Sequence, residues 1–169
     1  NSQQIFFFFF ASILVSTSIY LLGTDAMGSG KEIMERTLFT GDKTVAWYIP
    51  LVRMGGLISS FSMGGAGGIF APSLSIGASI GAVTSGLLEL TGNNANLLIV
   101  VGMTAFLTGI TRSPFTSAIV VIEMTDRHSA IFFLMFAAVV SSAIAYLVER
   151  KSLYDLLKET YLEEVKHSG

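Results

Sequence analysis

The sequence contains no cysteine, only two histidines and few charged side chains, and these shortages exclude several kinds of protein. Without cysteine there is neither a disulfide nor a thiolate metal site. His128 and His167 have no partner at a ligand-like spacing, so the sequence predicts no metal centre. A net charge of −2 provides no basic patch for nucleic acid. The sequence contains neither a nucleophile–base pair nor a Walker-type phosphate loop, so no motif in it predicts an enzyme.

Apolar residues are abundant where charges are scarce. Hydrophobic residues make up 51% of the 169 residues and charged residues 13%, against about 25% in an ordinary soluble domain. No charge occurs in 1–24, 54–88, 90–111 or 128–148. Because about 20 apolar residues cross the hydrocarbon core as a helix, the sequence predicts an all-α, polytopic membrane helix bundle. The alternative, a buried core of a soluble complex, leaves too little polar sequence for a surface.

The N-terminal stretch NSQQIFFFFFASILVSTSIYLLG has no initiator methionine and no basic region of a signal peptide. It is typical of a membrane helix, from Ile5 to Leu22, that is entered part-way. We therefore expect the chain to be a piece of a longer protein.

Apolar runs and glycine or proline breaks predict the remaining helices. A polar interval over 25–43 is expected outside the hydrocarbon as a short helix and a loop, with Trp47 and Tyr48 at the membrane interface. Further membrane helices are predicted over 50–63, 72–90 and 129–148, the last capped by Ser129. Helices over 97–109 and 115–125 are too short to cross about 30 Å, which predicts broken, half-spanning helices buried in protein. An amphipathic tail helix is predicted over 152–166.

Two charged residues near these apolar segments each allow two interpretations. Arg53 is either a charge in a pore or, as we expect, a side chain that snorkels or pairs within the bundle. Glu123 is either a proton carrier or, as we expect, a residue that closes the helix over 115–125 beside Asp126.

The stretch GGAGGIFAP, residues 64–72, precedes an uncharged helix and predicts an anion site. Glycine lets the backbone approach a ligand closely, and Pro72 fits the first turn of a helix. The amides of Ile69 and Phe70 then lie at the positive end of the helix dipole without intrahelical acceptors. A partial charge of this kind holds an anion and also lets it leave. The alternative is a glycine-rich packing hinge.

Three separated motifs resemble the CLC family of chloride channels and chloride/proton antiporters. They are GGIFAPSLSIGASIG (67–81), GMTAFLTGITRSPFTSAIVVIEMTD (102–126) and KSLYDLL (151–157). The resemblance runs in order from about Ile5 to Lys166. It implies a fold of two inverted halves packed face to face. Residues 1–169 resemble the second, the C-terminal transmembrane half of a CLC-type voltage-gated chloride channel or transporter domain.

The resemblance implies an anion site at Gly68, Ile69, Phe70 and Tyr154. Ile69 and Phe70 would donate backbone N–H groups to chloride, and Tyr154 its hydroxyl. Taken without the family, Tyr154 is also explained as an amphipathic anchor at the membrane surface. Tyr161, seven residues later, is expected outside the site. No cofactor is implied, because chloride is the transported substrate.

The family's G-S-G-I-P and gating G-R-E-G-P segments do not occur in the sequence. GSGK, residues 28–31, lies in a polar loop, where Lys31 and Glu32 replace the isoleucine–proline pair. Channel and proton-coupled exchanger therefore both stay open.

The resemblance also implies partners and a location. They are the lipid bilayer, the N-terminal half of the same subunit and a second subunit in a homodimer, with a dimer face around 115–125 and 129–148. We expect a multi-pass protein of a bacterial inner membrane. The alternative function is a non-transporting membrane scaffold or assembly subunit, in which the glycines serve packing and Tyr154 serves anchoring.

Overall fold

The computed structural model describes residues 28–62 and 68–150, together with Ile13, Thr17, Ser152 and Lys158. Most of the predicted helix over 5–22 and most of the predicted tail helix lie outside these residues, as does Tyr154.

The described part of the chain is helical, as the sequence predicts. The elements in chain order are α1 (Lys31–Phe39), α2 (Ile49–Ser62), α3 (Phe70–Leu87), α4 (Gly92–Thr111), α5 (Pro114–Thr125), a 3-10 turn (His128–Ala130) and α6 (Ile131–Val148). Among the residues described, three segments are long and apolar enough to cross a membrane, namely α3, α4 and the 3-10 turn continued by α6. The expectation of a helical protein with several membrane spans is therefore confirmed for this part.

The chain divides into two compact units, residues 1–103 and 104–169, and the division falls within α4. In the first unit, α1 and α2 both pack on α3. In the second unit, α5 packs on α6. The predicted anion-binding turn, at the start of α3, belongs to the first unit.

Helix α1 and the loop after it form the polar interval that the sequence predicts. The Lys43 ammonium donates to the Thr37 carbonyl at 3.0 Å, near the end of α1, and to the Asn96 side chain of α4. Asp42 accepts hydrogen bonds from the Thr44 hydroxyl and from the Thr44 amide, the latter at 3.0 Å. These two bonds favour the ionised carboxylate, so they lower the pKa of Asp42 below its ordinary value.

Helix α3 ends earlier than predicted because the backbone reverses its hand there. Glu89 adopts a positive φ of 53°, which no α-helix continues through. The Leu90 amide then bonds to the Ser85 carbonyl at 2.9 Å and the Glu89 amide to the Gly86 carbonyl at 3.1 Å. This is the Schellman arrangement, which satisfies the last carbonyls of a helix.

The prediction of a half-length helix over 97–109 is wrong. Helix α4 has 20 residues and begins at Gly92, so the turn sequence TGNNAN supplies its first turn. Asparagine and glycine are poor helix formers, but tertiary contacts stabilise this turn. Ala95 is fully buried, and the Asn96 side-chain oxygen accepts a hydrogen bond from the Lys43 ammonium. Helix α4 is therefore about 30 Å long, enough to span.

The short helix over 115–125 is confirmed as α5. It has 12 residues, or about 18 Å, with Pro114 at its first position. Arg112, before this break, has a positive φ of 57°, and its guanidinium donates to the Glu149 carbonyl at 2.6 Å. The tight break at Arg112–Pro114 is thus tied to the end of α6.

The predicted cap at Ser129 is wrong. Residues 128–130 form a 3-10 turn, in which the Ala130 amide bonds to the Arg127 carbonyl at 3.0 Å. This turn moves the start of α6 to Ile131, and Ala130 takes the cap position with no side-chain hydrogen bond.

The backbones of α3 and α4 approach each other through glycines. A Cβ atom built on Gly77 would lie 2.5 Å from the Gly102 carbonyl oxygen and 2.6 Å from the Met103 Cα. One built on Gly81 would lie 2.6 Å from the Ile99 Cα. Small residues at a helix contact allow such close packing in a membrane protein. Gly86, further along α3, is exposed, and a Cβ atom placed there would have no neighbouring atom within 4 Å.

We predict that Gly77→Ala destabilises the protein by about 1–3 kcal/mol, because a methyl group at this position overlaps with backbone that cannot move aside. Gly86→Ala is the matched control in the same helix. It should be neutral or slightly stabilising, since alanine is the better helix former. Thermal unfolding in detergent measures both, and equal melting temperatures for the two variants would contradict the close contact.

Candidate functional site: the N-terminus of helix α3

Helix α3 begins at Phe70, two residues before its predicted start at Pro72. Ile69 already has helical dihedrals (φ −74°, ψ −31°), and its carbonyl accepts the Ser73 amide at 3.1 Å. This contact is why the helix extends back past the proline. Pro72 consequently occupies the third helical position, where its missing N–H still costs little.

The first turn presents backbone amides that have no acceptor within the helix. The Ser73 amide makes the first bond of the turn, so the amides of Phe70 and Ala71 precede all bonding inside α3. The sequence predicts Ile69 and Phe70 as donors, and Ala71 is a further amide that the prediction missed. Ile69 is buried, with 8% of its surface exposed, whereas Phe70 is 42% exposed. Gly68 is exposed, and a Cβ atom built on it would have no neighbouring atom within 4 Å.

Two serines that the sequence analysis did not single out bond back into this turn. The Ser73 hydroxyl donates to the Ile69 carbonyl at 2.7 Å, and the Ser75 hydroxyl donates to the Pro72 carbonyl at 2.8 Å. Both side chains are fully buried. Serine in an apolar helix commonly returns its hydroxyl to its own backbone in this way, so the sequence alone carries no signal of a special role.

Arg53 lies beside this turn. It comes from α2, is only 7% exposed, and its Nη1 donates to the Ser75 hydroxyl at 3.1 Å. The expectation that Arg53 pairs within the bundle is confirmed by this contact. A buried guanidinium is thus linked through one serine to the first turn of α3.

Gly30 completes the cluster. It precedes α1 with a positive φ of 81°, and a Cβ atom there would lie 2.1 Å from the Ser75 Cβ and 2.5 Å from Arg53 Nη1. The start of α1 and the second turns of α2 and α3 therefore meet at one point. The segment GSGK is a loop entering α1, as the sequence indicates.

The other residues considered from the sequence lie elsewhere or are not described. Tyr154 is outside the described residues. Glu123 is exposed near the end of α5, and Asp126 ends that helix with a positive φ of 51°. This placement agrees with the expectation that Glu123 closes the helix beside Asp126.

Comparison with known proteins now places the chain. Residues 1–146 match the family model described as voltage gated chloride channel. The chain belongs to the CLC chloride channel family. It is therefore an integral membrane protein of a transport family and not an enzyme.

Individual relatives agree with this assignment. Over 108 residues the chain is 32% identical to the voltage-gated ClC-type chloride channel ClcB of Escherichia coli, for instance of strains K12 / DH10B, O9:H4 and O157:H7. The alignment covers 62% of this chain and 26% of each relative. The chain thus spans about a quarter of the length of the curated relatives that it matches.

We predict that Gly30→Ala destabilises the protein more than Gly28→Ala does. Both glycines have a positive φ, so alanine costs about 1–2 kcal/mol of backbone strain at either position. Only at Gly30 does the new methyl group also overlap with Ser75 and Arg53, whereas a Cβ at Gly28 has no atom within 4 Å. Thermal unfolding of the two variants separates strain from overlap. Equal losses would show that the three helices do not meet as closely as described.

Proposed function

We propose that the chain forms the C-terminal transmembrane half of a CLC-type chloride-transport subunit and that chloride binds at the start of α3. The observation that supports this most is the match to the chloride channel family over residues 1–146, which includes this turn. The geometry adds amides at Phe70 and Ala71 with no acceptor inside the helix.

The binding chemistry follows from the residues of the turn. Chloride must lose water to enter apolar surroundings, and hydrogen-bond donors have to replace that water. The amides of Ile69 and Phe70 donate to the ion, and Gly68, without a side chain, lets it come close to the backbone. The helix dipole adds about half a positive charge. The Tyr154 hydroxyl contributes a further donor from the tail.

The remaining parts of the proposal concern partners. The N-terminal half of the same subunit would supply the other inverted repeat and the residues that gate the ion. A second subunit would pack against α5 and α6. In the part of the chain that the structure describes, Leu134 and Ala138 are the buried residues of α6, so most of the apolar surface of α6 needs lipid or another helix as its neighbour. The bacterial relatives support a location in a bacterial inner membrane.

We predict that the complete protein carrying this chain moves chloride when it is reconstituted in liposomes. Chloride and proton flux are recorded together, with protein-free liposomes as the control. Proton uptake against its gradient, coupled to chloride flow, would identify an exchanger, and chloride flow alone a channel. Well-folded protein that moves no chloride would contradict the proposal and favour a membrane scaffold or assembly subunit.

We predict that Tyr154→Phe weakens chloride binding roughly tenfold, because a hydrogen bond to an ion contributes about 1.5 kcal/mol or more. Tyr161→Phe is the matched control, because it removes a tyrosine hydroxyl seven residues further along the chain, and it should leave the chloride affinity unchanged. Calorimetric titration of the complete protein with chloride measures both variants. Unchanged affinity in Tyr154→Phe would indicate that the residue only anchors the tail.

A further inference from the structure

A continuous series of hydrogen bonds connects the buried Arg53 to the amide of Phe70. Arg53 Nη1 donates to the Ser75 hydroxyl at 3.1 Å, and that hydroxyl donates to the Pro72 carbonyl at 2.8 Å. The Pro72 carbonyl and the Ser73 N–H belong to one peptide unit, and that N–H donates to the Ile69 carbonyl at 3.1 Å. The Ile69 carbonyl in turn shares its peptide unit with the Phe70 N–H, which is the last group of the series. We call this series the Arg53–Phe70 chain.

The direction of every bond in the Arg53–Phe70 chain is determined by the chemistry of its members. A guanidinium has donors and no acceptor, so the Ser75 oxygen must accept from Arg53. The single hydroxyl proton of Ser75 is then the one given to Pro72. A peptide unit accepts at its carbonyl and donates at its N–H. All the dipoles are therefore aligned, with the positive end of the last one at the Phe70 N–H.

A side branch strengthens the last link. The Ser73 hydroxyl also donates to the Ile69 carbonyl, at 2.7 Å, so that this oxygen accepts two hydrogen bonds. A carbonyl that accepts hydrogen bonds withdraws electrons from its own peptide N–H, which becomes a better donor. The peptide affected is the one between Ile69 and Phe70.

Burial makes this polarisation effective. Ser73 and Ser75 are fully buried and Arg53 is 7% exposed, so little water competes with the chain or screens it. In such surroundings successive hydrogen bonds reinforce one another by about 10–30% each in condensed-phase estimates. The chain is also closely packed against the start of α1, since a Cβ atom built on Gly30 would lie 2.1 Å from the Ser75 Cβ and 2.5 Å from Arg53 Nη1.

We propose that Arg53, Ser75 and Ser73 are positioning residues for the anion, which act by polarising the Phe70 amide through this chain. None of the three side chains needs to touch the ion. The inference rests on the proposed function, because it assumes that chloride accepts a hydrogen bond from Phe70.

The matched pair Ser75→Ala and Ser79→Ala tests the proposal in the complete protein. Both serines are fully buried in α3, and each returns its hydroxyl to the carbonyl three residues earlier at 2.8 Å. Only Ser75 belongs to the Arg53–Phe70 chain. We expect Ser75→Ala to raise the chloride dissociation constant about two- to fivefold in calorimetric titration, with Ser79→Ala unchanged. Melting temperatures without chloride verify that each variant is folded.

A double-mutant cycle supplies a readout that a merely structural role does not move. Arg53→Met and Ser75→Ala interrupt the same chain, so their effects on chloride affinity should not add, and the double variant should bind as Ser75→Ala does. Ser73→Ala interrupts only the side branch, so adding it to Ser75→Ala should weaken chloride binding by about a further twofold. If Arg53→Met does not fold, Arg53→Lys replaces it. Lysine keeps a cationic donor at this position, so the Arg53→Lys variant should bind chloride more tightly than the Ser75→Ala variant.

The outcomes are distinguishable. Wild-type protein that binds chloride, together with equal affinities in Ser75→Ala and Ser79→Ala, would overturn the inference and leave the proposed function standing. Full additivity in the double-mutant cycle would overturn it as well. Wild-type protein that binds no chloride would overturn both.

Discussion

In hydrocarbon there is no water to satisfy a polar group, and this constraint organises the described part of the protein. Buried hydroxyls are returned to backbone carbonyls of their own helix, as at Thr108, Thr111 and Thr125. The buried guanidinium of Arg53 is directed to a serine. The amides of Phe70 and Ala71, like those at the start of any helix, have no acceptor within their own helix and need a partner elsewhere. An exchangeable anion is the kind of partner that satisfies such groups without occupying them permanently.

The same helix uses its glycines in two different ways. Gly77 and Gly81 are spacers, which let the backbones of α3 and α4 touch. Gly68 lies before the helix, where a Cβ atom would have no neighbouring atom within 4 Å, and in the proposed function it would let the ion approach. Close packing holds α3 firmly against α4, and the cluster of Gly30, Arg53 and Ser75 holds the start of α3 against α1 and α2. For the proposed anion site, such packing would hold the donors in place before the ion arrives, so that less ordering is needed on binding.

The helices themselves were largely predictable, since long uncharged runs and proline or glycine breaks leave few alternatives. Helices α2 and α5 begin and end within one residue of the prediction. The errors occurred where tertiary contacts override local preference. The turn-forming TGNNAN sequence is helical because Ala95 is buried and Lys43 reaches Asn96. Ser129 is a good cap by type, but the 3-10 turn moved the helix start past it.

The sequence by itself indicated a helical membrane protein, because its long uncharged apolar runs can satisfy their backbone groups in a bilayer as helices. Through three separated motifs it also indicated the family, and it predicted an anion-binding turn at the start of α3. Only the tertiary structure decided which side chains support that turn. Arg53 and Ser75 are 22 residues apart in the chain, and no local pattern pairs them. Their contact exists because α1, α2 and α3 converge at Gly30, where the missing side chain is what makes room.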